Sequence, residues 1–187
     1  MTFEEIINKS GKETSDHCDR VAKYTEIFLK KDDHNYTKDE VENIIRGAYL
    51  HDIGKSKIDK NILYKSNGLT NEEYKIIQKH SAFGYEILVN NKDKFASSNE
   101  IEICSNIALL HHKRVDGSGY PKVAIDKVPY YVQIITILDI FDALTSDRCY
   151  QQKVDYKTAV QKIKSGECGF LDKNLISKFE KYIDKVL

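Results

Sequence analysis

An excess of charge of either sign is missing from this sequence. Its 187 residues carry 29 Lys and Arg against 29 Asp and Glu, a formal net charge of zero, so no global basic field invites the phosphates of DNA or RNA. Binding to a nucleic acid polymer is thereby disfavoured. Paired cysteines are missing too. Cys18, Cys104, Cys149 and Cys168 fall in no CxxC or comparable spacing, which suggests neither a disulfide framework nor a cysteine zinc site and points to a reducing cytoplasm. No run of about 18 apolar residues occurs, and the opening residues Met1-Thr2-Phe3-Glu4-Glu5 lack a basic stretch. Neither a membrane span nor a secretory signal is expected. Proline is scarce, with Pro121 and Pro129 alone, and no repeat or low-complexity tract divides the chain.

What is present suits a folded core: 41% of residues are hydrophobic and 31% charged, and the length fits one domain over 1–187. Apolar residues recur at three-and-four spacing, which predicts an all-α, single-domain helical bundle. Helices are expected near 12–31, 38–50, 71–79, 81–90, 98–112, 130–145, 155–164 and 172–186. Thr37 with Glu40, Thr70 with Glu73 and Ser97 with Glu100 have the Ser/Thr-x-x-Glu form of a capping box at a helix start. A long non-helical stretch, 113–129, precedes the penultimate core helices and holds Asp116-Gly117-Ser118-Gly119-Tyr120-Pro121. A loop of that length usually has a function.

The informative feature is where ionisable residues fall on the apolar stripes. Glu13, His17, Val21, Tyr24 and Phe28 advance along one helical face. Val41, Ile44, Ile45 and Ala48 lead to His51 and Asp52; Ile76 and Ile77 lead to His80; Cys104 and Ala108 lead to His111 and His112; Val132 and Ile135 lead to Asp139. A single histidine on such a stripe is ordinarily a packed or hydrogen-bonded core residue. Several helices that each bury ligand-type groups would be hard to stabilise unless those groups share partners, and a metal centre supplies them. Five of the six histidines take part, His34 standing apart in a polar loop. Imidazoles with the carboxylates of Glu13, Asp52 and Asp139, and no thiolate, suit Fe or Mn better than a closed structural zinc site. Eight donors exceed what one ion takes, so two or three divalent ions sharing Asp52 as a bridge are expected. Such ions generate a hydroxide at neutral pH and clamp the oxygens of a phosphoryl transfer. Phosphate-ester hydrolysis is the chemistry this set favours.

At this point the residues resemble a known family. His51-Asp52-Ile53-Gly54-Lys55, the lone His80, His111-His112, the Asp116–Pro121 run and Leu138-Asp139-Ile140-Phe141-Asp142-Ala143-Leu144-Thr145-Ser146-Asp147-Arg148 resemble, in order and spacing, the HD-GYP subgroup of the HD-domain phosphohydrolases. The resemblance implies an all-helical fold and hydrolysis of cyclic di-GMP to the linear dinucleotide and on to GMP, by attack of a metal-bridged hydroxide. It places His17, His51, Asp52, His80, His111, His112 and Asp139 at metal-ligand positions, with Glu13 as the ligand that adds a third metal. It gives Lys55 and Arg148 to the substrate phosphate and to catalysis with Asp52. Arg114, Asp116, Gly119, Tyr120 and Pro121 become substrate contacts, although Gly119, Tyr120 and Pro121 equally suit shaping the loop or docking a diguanylate cyclase domain.

The sequence departs from the family pattern around the pocket. Arg148 is followed by Cys149, Tyr150 and Gln151 where Pro-Tyr-Lys is usual, which removes a second cationic phosphate contact unless Lys153 replaces it. Lys113 and Val115 stand where a glutamate and an aromatic are common, and Lys122-Val123-Ala124-Ile125-Asp126 lacks the usual glycines. These changes leave open a low-turnover cyclic-dinucleotide-binding or cyclase-docking module, and a hydrolase of another cyclic dinucleotide or nucleotide phosphate.

Overall fold

The computed structural model describes residues 1–125, 127–147 and 152–183. Their regular structure is helical: α1 (Phe3–Asn8), α2 (Lys12–Leu29), α3 (Lys38–Leu50), α4 (Lys60–Leu63), α5 (Asn71–Gln78), α6 (His80–Val89), α7 (Ser98–Leu110), α8 (Tyr130–Thr145), α9 (Tyr156–Ser165) and α10 (Lys173–Ile183). The all-α expectation holds: among the described residues β-type pairing is limited to one antiparallel bridge between Lys113 and Gly119. No helix among them is long and apolar enough to cross a membrane.

Local chemistry sets the helix ends. Thr37 and Thr70 accept the amide protons of Glu40 and Glu73, whose carboxylates accept the threonine amides in return, so α3 and α5 begin with complete capping boxes. The same box, Thr2 with Glu5, starts α1. The sequence reading expects no helix there, since six residues are too few to show an apolar stripe, but the Thr-x-x-Glu signal marks it. Ser97 and Glu100 correct the third expected box. Ser97 accepts the Glu100 amide, whereas the Glu100 carboxylate takes the Ala96 amide at 2.6 Å and the guanidinium of Arg46. The helix expected over 98–112 stops at Leu110 because His111 is already its C-cap. The short α4 and a 3-10 turn at Ile53–Lys57 fall between the helices expected over 38–50 and 71–79.

α2 lies against α3 and α8, α3 against α7, and α7 against α6, while α9 and α10 pack on α8. α8 buries Val132, Ile134, Ile135, Ile137, Leu138 and Phe141 around most of its circumference, the mark of a central helix. A larger apolar cluster gathers Val21, Phe28, Ile44, Ile107, Ile135, Phe141 and Phe179; a smaller one gathers Phe3, Ile7, Cys18, Leu50, Ile53 and Leu88. The donor residues border both. His17 and Asp52 precede Cys18 and Ile53 of the smaller cluster, and His111 and Asp139 follow Leu110 and Leu138 of the larger.

One glycine decides how closely the site can assemble. A Cβ on Gly54 would stand 1.9 Å from the His80 carbonyl oxygen and 2.4 Å from the Gly84 nitrogen. Only a residue without a side chain lets the turn after α3 rest on the start of α6, and that contact brings Asp52 to His80.

Candidate metal centre

Helix ends aim the histidines. His51 is the C-cap of α3 and His111 that of α7, and His80 follows α5 as the first residue of α6. The carbonyls of a last helical turn lack intrahelical partners, and here imidazoles supply them. His51 Nδ1 donates to Ala48 O at 2.7 Å, His80 Nδ1 to Ile77 O at 2.7 Å, and His111 Nδ1 to Ile107 O and Ala108 O at 3.0 and 3.1 Å. His17, inside α2, donates from Nδ1 to Asp142 Oδ2 at 2.6 Å instead. Asp142 is in turn held by Arg20, whose Nε and Nη2 reach its two oxygens at 2.6 and 2.9 Å. With Nδ1 committed to these acceptors in all four rings, the neutral form of each carries its lone pair on Nε2, which turns to the centre. That is the tautomer a metal requires.

The Nε2 atoms converge on Asp52. His17 Nε2 is 3.2 Å from His51 Nε2 and 3.1 Å from Asp139 Oδ1, and Asp52 Oδ2 lies 3.6 and 3.4 Å from the same two imidazoles. On the other side His80 Nε2 is 3.2 Å from His111 Nε2 and 3.3 Å from Asp52 Oδ1. Three groups of donors lie within 4.8 Å of one another: His17, His51 and Asp139; His51, Asp52 and His111; and His80, His111 and His112. The residues fit divalent cations on physical grounds. Neutral rings that meet Nε2 to Nε2 at 3.2 Å are held by a shared proton or by a cation, and the buried Asp52 Oδ1, which accepts no hydrogen bond among the described residues, suits the cation.

Electrostatics prepare neutral rings on one side of Asp52 and ionised carboxylates throughout. Burial holds His80 and His112 below the usual imidazole range and His111 down to about 3, helped by neighbouring imidazoles and opposed by Asp52. Burial also acts against the charge of Asp52, but Lys55, His51 and His80 outweigh it and keep that carboxyl well below its ordinary value. For Asp139, burial is likewise overcome, chiefly by His17. His51 is raised instead, since Asp52 and Asp139 more than offset its burial. Neutral imidazoles and ionised carboxylates are what cations bind.

Not every expected residue joins the donor set. Glu13 lies outside the three groups and lines a small adjoining cavity with His17, Arg20, Lys55 and Asp147. Lys55 places Nζ 2.5 Å from Asp52 Oδ2 and lines an open cleft of about 270 Å³ with Asp52, His112, Arg114 and Asp139. Arg114 faces that cleft, and its buried Nη1 has no hydrogen-bond partner among the described residues. Asp116 is exposed, its Oδ1 accepting the Ser118 amide at 3.0 Å and hydroxyl at 2.7 Å, so it folds the loop locally. A Cβ on Gly119, at φ +79°, would stand 2.0 Å from His112 O. That contact sets the Tyr120 ring 4.5 Å from the His112 ring. Pro121 follows through a cis peptide bond. Arg148, Cys149, Tyr150 and Gln151 lie outside the described residues; Lys153 pairs with Asp147 at 3.0 Å.

Four supporting residues escape the sequence reading. Asp142 sits three residues beyond Asp139 and Arg20 three beyond His17, each on the same helical face as the ligand it follows; that spacing is the signal for them. Thr136 donates to His111 O at 2.8 Å. Lys113, a departure from the family pattern, is buried and donates to Val123 O at 3.0 Å, bracing the loop from within.

Comparison with known proteins agrees with this geometry. A family model described as HD domain matches residues 2–175. The chain belongs to the HD-domain family. Among curated relatives, the cyclic di-GMP phosphodiesterase response regulator RpfG of Xanthomonas campestris pv. campestris is 32% identical over 160 residues, covering 78% of this chain and 41% of that protein. The 3'3'-cGAMP-specific phosphodiesterase 2 of Vibrio cholerae is 35% identical over 146 residues, 78% of this chain and 27% of its own length. The chain thus spans less than half of these relatives, whose names bear out the HD-GYP resemblance. The HD domain of the L. monocytogenes phosphodiesterase PgpH superposes with a TM-score of 0.69 at 18% identity, over 97% of this chain and 94% of that one. It shares the fold.

Proposed function

We propose that this chain is a metal-dependent phosphodiesterase that opens cyclic di-GMP to the linear dinucleotide and carries it on to GMP. One observation carries the reading. The two oxygens of a single buried carboxylate, Asp52, face separate sets of imidazole donors from four helices, with an open cleft beside them. Two divalent ions, Fe or Mn by donor type, would be held by His17, His51 and Asp139 on one side and His80, His111 and His112 on the other. When bound they polarise phosphoryl oxygens and render a water acidic at neutral pH. Glu13, from the adjoining cavity, completes a third site.

The chain's own groups then bind and orient. Lys55 sits at the edge of the cleft against Asp52 and places a cation where a phosphate oxygen would lie. Arg114 lines the same cleft, and Arg148 supplies a second planar fork. Tyr120, neutral because burial raises its phenol, packs on His112 and fixes that ring. The names of the relatives support cyclic di-GMP, with 3'3'-cGAMP as the competing substrate. A cytoplasmic location and a single domain over 1–187 belong to the same reading.

Metal-loaded protein is expected to linearise cyclic di-GMP, and His51→Ala and Asp52→Ala each to reduce turnover by more than about a thousandfold. Product chromatography reads this directly. Activity surviving both substitutions sinks the reading. Metal analysis of Glu13→Gln is expected to lose one ion per chain relative to the parent, and an unchanged count removes Glu13 from the site.

A further inference from the structure

Beside the metal cleft lies a second cavity, of about 340 Å³, enclosed by α4, the segment 64–70 and α5. Its size and character are those of a small-molecule site, apolar walls with a few polar groups. Ile62, Leu63, Leu69 and Ile77 form the walls, and the ring of Tyr74 closes one side. Tyr74 is 48% exposed and Leu69 38%, so this apolar surface has little of the chain over it. Lys55 lies between this cavity and the metal cleft and lines both.

We infer that this cavity seats one purine base of the substrate, guanine in preference to adenine. The identity of the bound molecule rests on the phosphodiesterase reading; the pocket itself does not. A base is joined to its phosphate through one sugar, so a phosphate gripped at Lys55 leaves its base beside that lysine, where the apolar cavity opens. Tyr74 supplies the ring on which a base stacks. The preference follows from the charged lining groups, Lys55 and Lys65, which donate hydrogen bonds and cannot accept them. Lys65 is oriented by Glu73, whose oxygens take its ammonium at 2.8 and 2.7 Å, and one of its protons is left to give. Guanine presents two acceptors, O6 and N7, on one edge, whereas adenine replaces O6 with an amino donor.

Calorimetric titration of GMP and AMP into the metal-loaded protein tests this without turnover. GMP is expected to bind more tightly than AMP, Tyr74→Ala to weaken GMP roughly tenfold, and Lys65→Met to erase the difference between the two nucleotides. GMP affinity within twofold of the parent in both Tyr74→Ala and Leu69→Ser overturns the pocket, and equal binding of GMP and AMP by the parent overturns the preference. Turnover of cyclic di-GMP is read in parallel. If the parent shows none while Tyr74→Ala still loses GMP, the base pocket stands and the catalytic reading falls.

Discussion

The two sides of Asp52 are built differently. On one, His17, His51 and Asp139 mix imidazole with carboxylate, and His17 is steadied by an ionised Asp142 that Arg20 holds in place. On the other, His80, His111 and His112 offer nitrogen alone, and the first two are steadied by main-chain carbonyls. The mixed side therefore carries a formal negative charge of its own beyond its share of Asp52. The imidazole side has none, and burial keeps its rings neutral. A divalent cation is attracted more strongly to the mixed side, whereas the nitrogen donors of the imidazole side favour iron over manganese and either over magnesium. One carboxylate would thus join two sites of unequal strength.

The largest effect is expected where both sides are lost together. Gly54→Ala places a methyl group 1.9 Å from the His80 carbonyl, a distance that only backbone movement relieves. Separating the turn from α6 pulls Asp52 from His80, so both metals and all turnover should go, and folding stability should fall by about 3 kcal/mol or more. Denaturant unfolding together with metal analysis checks this. A Gly54→Ala protein that keeps two ions shows that the halves do not depend on this contact.

Graded chelation separates the halves. As chelator is raised, the imidazole side is expected to empty first, leaving about one ion per chain with melting temperature still elevated, since an ion at 100 times its dissociation constant stabilises by about 2.7 kcal/mol. The ion that remains should vanish in His17→Ala and persist in His112→Ala. The reverse pattern overturns the ranking of the two sides. Asp142→Asn sharpens the same point by removing the charge behind His17. Loss of such a partner typically weakens metal affinity 10- to 100-fold, so this variant should make the two sides release their ions together, with helix content unchanged by circular dichroism.

Residues that recur with helical period were legible in the sequence, and so were the donors lying on them. His17, His51 and Asp139 stand at positions where an apolar side chain would otherwise continue the stripe, and the structure buries all three. Elements too short for a period were not: α1 has only six residues and α4 only four. Supporting residues were also hidden, for a different reason. Asp142 and Arg20 are common at helix surfaces, and nothing in their spacing says that they bond to each other across 122 positions of chain. Lys113 was visible only as a departure, because a buried lysine donating to loop carbonyls leaves no periodic trace.

The smallest expected effect concerns the tie between the halves. Thr136 belongs to α8, which carries Asp139, and its hydroxyl lies 2.8 Å from the carbonyl oxygen of His111 and 2.9 Å from that of Val132. Through this side chain the helix that carries Asp139 is bonded to a donor residue of the imidazole side. Thr136→Val keeps the shape and removes the donor, leaving the His111 carbonyl without that bond, at a cost of about 1 kcal/mol. For a chain of this size that is a fall of roughly 3 °C in melting temperature. If Thr136 joins the two sides, the metal-loaded protein should lose more than the metal-free protein, because only with both ions bound are the sides pulled into register. An equal loss in the two states would make Thr136 a bond of the fold alone and leave Asp52 as the link between the sites.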